Sequence, residues 1–407
     1  MDFDETPEEQ AFRAEVRAWL EARASRRVAG GPSDHSYVPG ERSEEGDLAH
    51  VEACRVWQRE LYAGGWAGIT WPSEAGGRGG SGWQQRIFNE EQARFDVPVG
   101  AFAVGIGMAG PTIIAWGSEE QKERLLPPML TGDEIWCQLF SEPGAGSDLA
   151  GLRTRAVRDG DEWVVNGQKV WTSGAHYSHW GLLLARTDVD VPKHRGITAF
   201  ALDMRSAGID IRPLRQITGA AHFNEVFLTD VRIADAHRIG PLNEGWRVAN
   251  TMLANERSFI GGGGRVGFGD LVELARAHGS HLDPLVRQEL ARSFTRLQLI
   301  KWLGWRSRSR KDQGLGPEAS VLKLAASRRL EHDGDLVLRL QGTPAVLADA
   351  DAVSGGYWQQ QFLMQWSSRI GGGTEQVQRN VIGERVLGLP GEPRPDKTLP
   401  FRDLPTG

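Results

Sequence analysis

Hydrophobic positions along the chain change period twice. Up to about residue 130 they recur at helical spacing: Phe12, Val16, Trp19 and Leu20 share a face behind Thr6-Pro7-Glu8-Glu9. There Thr6 can cap a helix and Pro7 fits its first turn. The same spacing returns over residues 83–94 and 119–130. Between them residues 64–82 are too glycine-dense for one regular helix, and residues 30–46 read as a polar surface loop. From about Trp136 to Ile239 the pattern shortens to apolar, partly β-branched runs at 163–165, 181–185, 197–202, 209–211 and 225–228, separated by turn residues. That predicts a compact antiparallel β-domain. Helical spacing resumes over 271–277, 285–303, 319–340 and 358–370, with Pro284 and Pro317 near helix starts, and predicts a bundle. The expected class is α+β, with a helical domain at 1–130, a β-domain at 131–240 and a helical domain at 241–395. The proline-rich stretch after Leu389, with a tail at 396–407, is expected to be loosely held.

Composition narrows the function classes without choosing one. The chain has 407 residues, 40% hydrophobic and 25% charged, enough for two or three cores. A net charge of -6 gives no general reason to expect nucleic acid or anionic lipid as a partner. Cys54 and Cys137 are too few for a disulfide framework and lack metal-ligand spacing. The acidic start, MDFDETPEEQ, is unlike a signal peptide, and no apolar run is long enough to cross a bilayer, so the protein is expected to be cytoplasmic. His176 and His179, like His278 and His281, read as surface or hydrogen-bonded residues, and the basic run 306–311 as a solvated helix end.

Two stretches carry the candidate chemistry. Residues 138–148, QLFSEPGAGSD, form a tight loop of small and hydroxyl residues between β-rich runs, suited to turn several backbone N–H groups toward one point. Downstream, NGQKVWTSG (166–174) reads as an Asn166-Gly167 type I′ hairpin turn feeding a strand with Trp171 and Ser173. An indole with a hydroxyl two residues on could lie beside a flat ring and bond its edge; a flavin would use both.

SEPGAGSD followed by NGQKVWTSG closely resembles the acyl-CoA dehydrogenase family, and the resemblance runs from the acidic start to residues 370–389. It implies FAD as cofactor, an acyl-CoA substrate desaturated between its α and β carbons, an electron-transfer flavoprotein as acceptor, and a homo- or hetero-oligomer, dimer or tetramer. By position, Gln138, Phe140 and Ser141 match residues beside the flavin ring, and Trp171 and Ser173 the stacking indole and the hydroxyl near flavin N5. Gly146 and Ser147 match the loop that meets flavin and CoA, Arg257 an arginine near CoA, and Thr374 and Gln376 residues at the adenosine-diphosphate part of FAD.

The resemblance also has departures. Many members carry the base, a glutamate, in Tyr-Glu-Gly-Thr; here IGGGTEQ puts Gly372 at that place. A second family solution places the base on a C-terminal-domain helix before an arginine, and ANERS supplies Glu256 there. If 247–278 is helical, Ile260, Gly263, Gly264 and Gly267 follow Glu256 on one face as a stripe almost without side chains. The Gly372 N–H would still help hold the thioester carbonyl. The Arg-x-x-Phe-Gly motif that reaches a neighbouring subunit's FAD is missing from 275–293, where Arg287 and Gln288 fall near its place, and Gln341-Gly342-Thr343-Pro344 replaces a common Gly-Gly pair. Two functions stay open: an active dehydrogenase, or a catalytically reduced subunit of a hetero-oligomer.

Overall fold

The computed structural model describes residues 5–27, 44–260, 267–308 and 317–404. Most of the expected 30–46 loop, Gly261–Gly264, half of the basic run 306–311 and the side chain of Arg257 lie outside the described residues. The chain forms two compact units, one holding most of the chain to Asn255 together with Arg394–Gly407, the other Glu256–Pro393.

Among its described residues the first unit opens with the α-helices α1 (Pro7–Glu21), α2 (Glu44–Ala63), α3 (Gly82–Gln92), α4 (Gly110–Trp116) and α5 (Glu119–Thr131). Thr6 and Glu9 cap α1 reciprocally, and Ser118 and Gln121 do the same for α5, which stops at Gly132 in the left-handed region (φ 84°). The apolar stripe of α1, Phe12, Val16 and Leu20, is buried with Trp57, Trp66, Ile87 and Phe88. Glu91 of α3 is also buried; desolvation would raise its pKa, but hydrogen bonds from Arg17 and Arg13 outweigh that and hold it below the usual range.

The sheet follows with β1 (Trp136–Leu139), β2 (Arg155–Asp159), β3 (Glu162–Ser173), β4 (Trp180–Arg186), β5 (Ile197–Asp203), β6 (Ile209–Leu214), β7 (Phe223–Ala234) and β8 (Arg238–Ile239). Its order is β6-β7-β3-β2-β4-β5-β8, with β1 beside β4. Pairing is antiparallel except where β1 and β2 meet β4, which makes the sheet mixed there.

Asn166-Gly167 is not the hairpin turn. The β2–β3 turn is Gly160-Asp161, with Gly160 at φ 67°, and Asn166 and Gly167 lie inside β3 at a register shift. Gly167 is needed there for close approach: a Cβ would stand 2.3 Å from Thr154 Oγ1. An Asn-Gly pair permits a turn, and here a nearer Gly makes it.

The tail also departs from expectation. Phe401 is buried, its N–H donates to the Val191 carbonyl (2.9 Å), and the Arg186 guanidinium lies 3.8 Å from its ring centroid. Lys193 Nζ bridges Asp396 (2.5 Å) and Asp148 (2.8 Å), and Arg402 pairs with Asp190 (2.9 Å). A proline-rich composition disfavours helix and strand; it does not prevent docking by one aromatic and several ion pairs.

α6 (Gly245–Ile260) buries Val248, Ala249 and Met252 in the first unit's core and carries Glu256, where the second unit begins. The second unit continues with α7 (Phe268–Ala277), α8 (Pro284–Arg308), α9 (Ala319–Gln341), α10 (Tyr357–Ile370) and α11 (Glu375–Val381). Its core joins Leu271, Leu274, Leu290, Leu336, Val337, Leu340 and Trp358. The continuous helix 247–278 does not form, because Gly267 is extended (φ -71°, ψ 153°) and starts α7 as its cap. Among the described residues no helix is long and apolar enough to cross a membrane, and no group of His, Cys, Asp and Glu could hold a metal ion.

Candidate active site

In the first unit the 138–148 loop leaves β1 and folds on itself: the backbones of Glu142 and Ala145 exchange hydrogen bonds of 3.1 and 3.0 Å. Pro143, Gly144, Gly146 and Ser147 at its tip are exposed, and a Cβ at Gly144 or Gly146 would meet open space. Phe140 is buried in the core, and Gln138 and Ser141 are half-buried. The Ser141 carbonyl accepts from Val170 N–H (2.9 Å), which joins the loop to β3.

A buried ion pair holds that junction. Glu142 accepts from Lys169 Nζ (2.8 Å) and from the N–H groups of Arg153 (2.7 Å) and Thr154 (2.9 Å). Lys169, fully buried, also donates to the Phe140 carbonyl (3.0 Å). Burial acts to raise the Glu142 pKa, but the Lys169 charge and these hydrogen bonds outweigh it and hold the carboxyl below its usual range. Burial also pulls the Lys169 ammonium below the usual lysine range, against the pull of Glu142.

Two residues past that lysine, Trp171 sits at φ 61° beside a register shift between Lys169 and Thr172. Its indole is 59% exposed. A bulky residue in the left-handed region is an outlier costing about 1 kcal/mol or more. Here it turns a large apolar ring outward, with Ser173 half-buried two residues on. An exposed, strained indole beside an open glycine loop fits a planar heterocycle. Burial pushes the Cys137 thiol of β1 up to about 12, so it offers no nucleophile there. His176 bonds Asn224 Oδ1 (3.0 Å), and His179 Nδ1 accepts from Ile135 N–H (3.1 Å).

In the second unit, α10 ends in a glycine turn with Gly372 at φ 64° and Gly373 at φ 87°. Thr374 caps α11, its hydroxyl accepting from Val377 N–H (3.2 Å), and Gln376 is exposed. Gln378 Nε2 donates to the carbonyls of Gly372 (3.1 Å) and Gly373 (3.3 Å). Lys323 Nζ donates to the Gly373 carbonyl (2.8 Å), and burial pulls its ammonium below the usual lysine range against the charges of Glu375 and Glu256.

Family profiles for the acyl-CoA dehydrogenase N-terminal, middle and C-terminal domains match residues 6–133, 137–231 and 243–387. The acyl-CoA dehydrogenase IpdE1 of Mycobacterium tuberculosis is 38% identical over 94% of this chain and 98% of its own. The chain belongs to the acyl-CoA dehydrogenase family. FadE34, an acyl-CoA dehydrogenase of the same organism, is 42% identical over 92% of this chain and 52% of its own length. Among solved structures, the Tcur3481-Tcur3483 steroid ACAD is similar at 29% identity and a TM-score of 0.80, covering 96% of this chain and 100% of its own. The ChsE4-ChsE5 complex from Mycobacterium tuberculosis is similar at 30% and 0.79, covering 96% and 100%.

In this acyl-CoA dehydrogenase the residues expected near the flavin ring and loop (Gln138, Phe140, Ser141, Gly146, Ser147, Trp171, Ser173) all belong to the first unit. Glu256, Gly372, Thr374 and Gln376 belong to the second. Sequence reasoning did not single out Glu142 and Lys169, although both stand inside the quoted motifs. It also missed Lys323, whose signal was a lysine on the buried face of α9, one turn from Ala319 and one from Ser327.

Proposed function

We propose that this chain desaturates an acyl-CoA thioester with bound FAD, with Glu256 removing the α proton, and passes electrons to an electron-transfer flavoprotein. The observation that carries the reading is the match of the chain to the N-terminal, middle and C-terminal domains of the family, with Glu256 and the Gly372-Gly373 turn both in the second unit. A carboxylate base and a backbone N–H for the thioester carbonyl are the two groups α-proton removal needs. Bound FAD would supply the acceptor for the β hydride. Around it, Trp171 would lie against the ring, Ser173 would bond its edge, and Gln138, Phe140 and Ser141 would line it. Gly146 and Ser147 would meet the cofactor and CoA, Thr374 and Gln376 the adenosine diphosphate, and Arg257 the CoA. We take the division at about residues 130 and 240 as the boundaries of the three domains.

Gly372 removes a side chain where many relatives carry one, and one similar structure is named a steroid ACAD, which supports a bulky, branched or polycyclic acyl group. Anaerobic bleaching of the yellow protein by a panel of acyl-CoA thioesters, with Glu256→Gln beside wild type, tests the reading. A thioester that bleaches wild type and leaves the variant yellow is expected; equal bleaching removes Glu256 as base.

A second reading is favoured by a specific absence. The Arg-x-x-Phe-Gly stretch is missing, and two similar structures carry paired chain names. On that reading the chain works in a hetero-oligomer whose other chain completes or shares the FAD site.

A further inference from the structure

In the first unit the 138–148 loop stands between two clamps. Its entering leg is held at Glu142, by Lys169 and by the Arg153 and Thr154 N–H groups. The leg that leaves it, residues 148–152, is held by two cations outside the motif. Lys193, on the connection between β4 and β5, donates to both Asp148 carboxylate oxygens (2.9 and 2.8 Å). Arg186, the last residue of β4, donates to the Ala150 (2.6 Å) and Leu152 (3.3 Å) carbonyls, and to the Lys193 carbonyl (2.5 Å). Only residues 143–147 lie between the clamps, and there a Cβ at Gly144 or Gly146 would meet open space.

Both cations are covered by the C-terminal tail. Arg186 is 2% exposed, its Nε has no hydrogen-bond partner among the described residues, and burial pulls its guanidinium down to about 10. The Phe401 ring lies over it, centroid 3.8 Å from Cζ, and Arg153 approaches the same ring at 5.3 Å. Lys193, 7% exposed, has Asp396 Oδ2 at 2.5 Å from its Nζ. Burial would lower the Lys193 pKa, but hydrogen bonds with Asp148 and Asp396 outweigh that and hold it above the usual lysine range. Backbone bonds seat the tail on the same connection that carries Lys193: Phe401 N–H donates to the Val191 carbonyl (2.9 Å) and Arg402 N–H to the Val189 carbonyl (3.1 Å). Loop, connection and tail all belong to one unit.

We propose that the C-terminal tail is a strap that seats Lys193 and Arg186 against residues 148–152, and that Lys193 is thereby a positioning residue for the loop tip that meets the CoA thioester. The inference rests on the reading that Gly146 and Ser147 meet cofactor and CoA. A tip of such small residues has little side chain with which to fix its own shape, so its conformation depends on what pins its two ends. With Asp148 pinned, the tip is ordered when the chain folds and little ordering is left to be done on binding.

The test combines amide hydrogen exchange with anaerobic flavin bleaching in the FAD-loaded protein, in wild type, Lys193→Met, Lys193→Arg and Asp396→Asn. Asp148 and Asp396 both reach solvent, so Lys193→Met strands no buried charge. In that variant exchange over residues 142–152 is expected to quicken about tenfold or more, as for a lost charge-assisted hydrogen bond, with β5 unchanged. The thioester concentration that half-saturates the bleaching rate should rise by a similar factor, while the saturated rate stays within about twofold. Asp396→Asn should give the same shifts at smaller size, and it carries the test if Lys193→Met does not fold; Lys193→Arg should restore most of the loss. Unchanged exchange and unchanged half-saturation in the folded variants, with wild type bleached normally, overturn the strap and leave the dehydrogenase reading in place. Faster loop exchange without any change in half-saturation overturns the positioning role of Lys193. A flavin-loaded wild type that no thioester of the panel bleaches removes the dehydrogenase reading and the proposal together.

Discussion

Glu142 and Lys169 show how one pair can organise a functional loop. The pair ties the Phe140 carbonyl, the Arg153 and Thr154 amides and strand β3 together, and Trp171 is held in its strained backbone two residues later. Removing one partner strands the other. Glu142→Gln should cost roughly 3–5 kcal/mol, because the Lys169 ammonium stays buried without its counter-charge. The double change Glu142→Gln with Lys169→Met, which keeps an acceptor for the Arg153 and Thr154 amides and removes the stranded cation, should recover much of that loss. The folded carboxyl of Glu142 lies below its ordinary value, so its contribution is present above the unfolded carboxylate range and lost as pH falls through the lower folded value. The gap between wild type and Glu142→Gln in denaturant melts should be full above about pH 5 and narrow below it. Lys169 works in the opposite direction: its folded pKa is depressed, so the variant should regain stability as pH rises and the lysine loses its proton. A gap that does not change with pH would refute this account.

At the scale of elements, the strongly periodic segments formed where the pattern put them, because a helix or strand that buries one face needs only its own spacing to specify it. The helices expected at 319–340 and 358–370 are α9 (Ala319–Gln341) and α10 (Tyr357–Ile370), and the run at 197–202 is β5 (Ile197–Asp203). Asn166-Gly167 failed as a turn since two glycines compete to reverse the chain, and only packing against Thr154 decides between them. The tail was misread for a related reason: its anchor, Phe401, is a single aromatic without periodic neighbours. Phe401→Ala should release it. Burial of a phenylalanine is worth roughly 3 kcal/mol on truncation. Limited proteolysis should then cut after Leu389 in the variant at a protease level that spares wild type. Equal resistance of the two proteins would show that the ion pairs of Lys193 and Arg402 suffice without the ring.

For the whole molecule, the decisive quantity is flavin per chain. One unit holds the residues proposed for the flavin ring, the other those proposed for the base and the thioester carbonyl. Trp302 (47% exposed) and Trp366 (45%) are exposed on the second unit. Expressed alone and purified, the chain should hold close to one FAD per monomer if it is self-sufficient. A ratio near half or zero, restored by co-expression with a second dehydrogenase chain, would establish the hetero-oligomer. Absorbance of released flavin against protein concentration, with light scattering for mass, reads both numbers.

Local information was enough for the helical, β, helical order, the α+β class and the two motifs that place this chain in its family, because spacing, caps and loop chemistry act within a few residues. The same information proposes Glu256 as the base only through resemblance, since nothing in ANERS distinguishes a base from a solvated carboxylate. The tertiary structure alone decided which charges are buried and with what. Lys169 meets Glu142 across 27 residues, Lys323 meets Gly373 across 50, and the tail returns to Val191 and Arg186 from the far end of the chain. Desolvation is a property of the packed interior, so the state of these groups exists only once distant segments have closed around them.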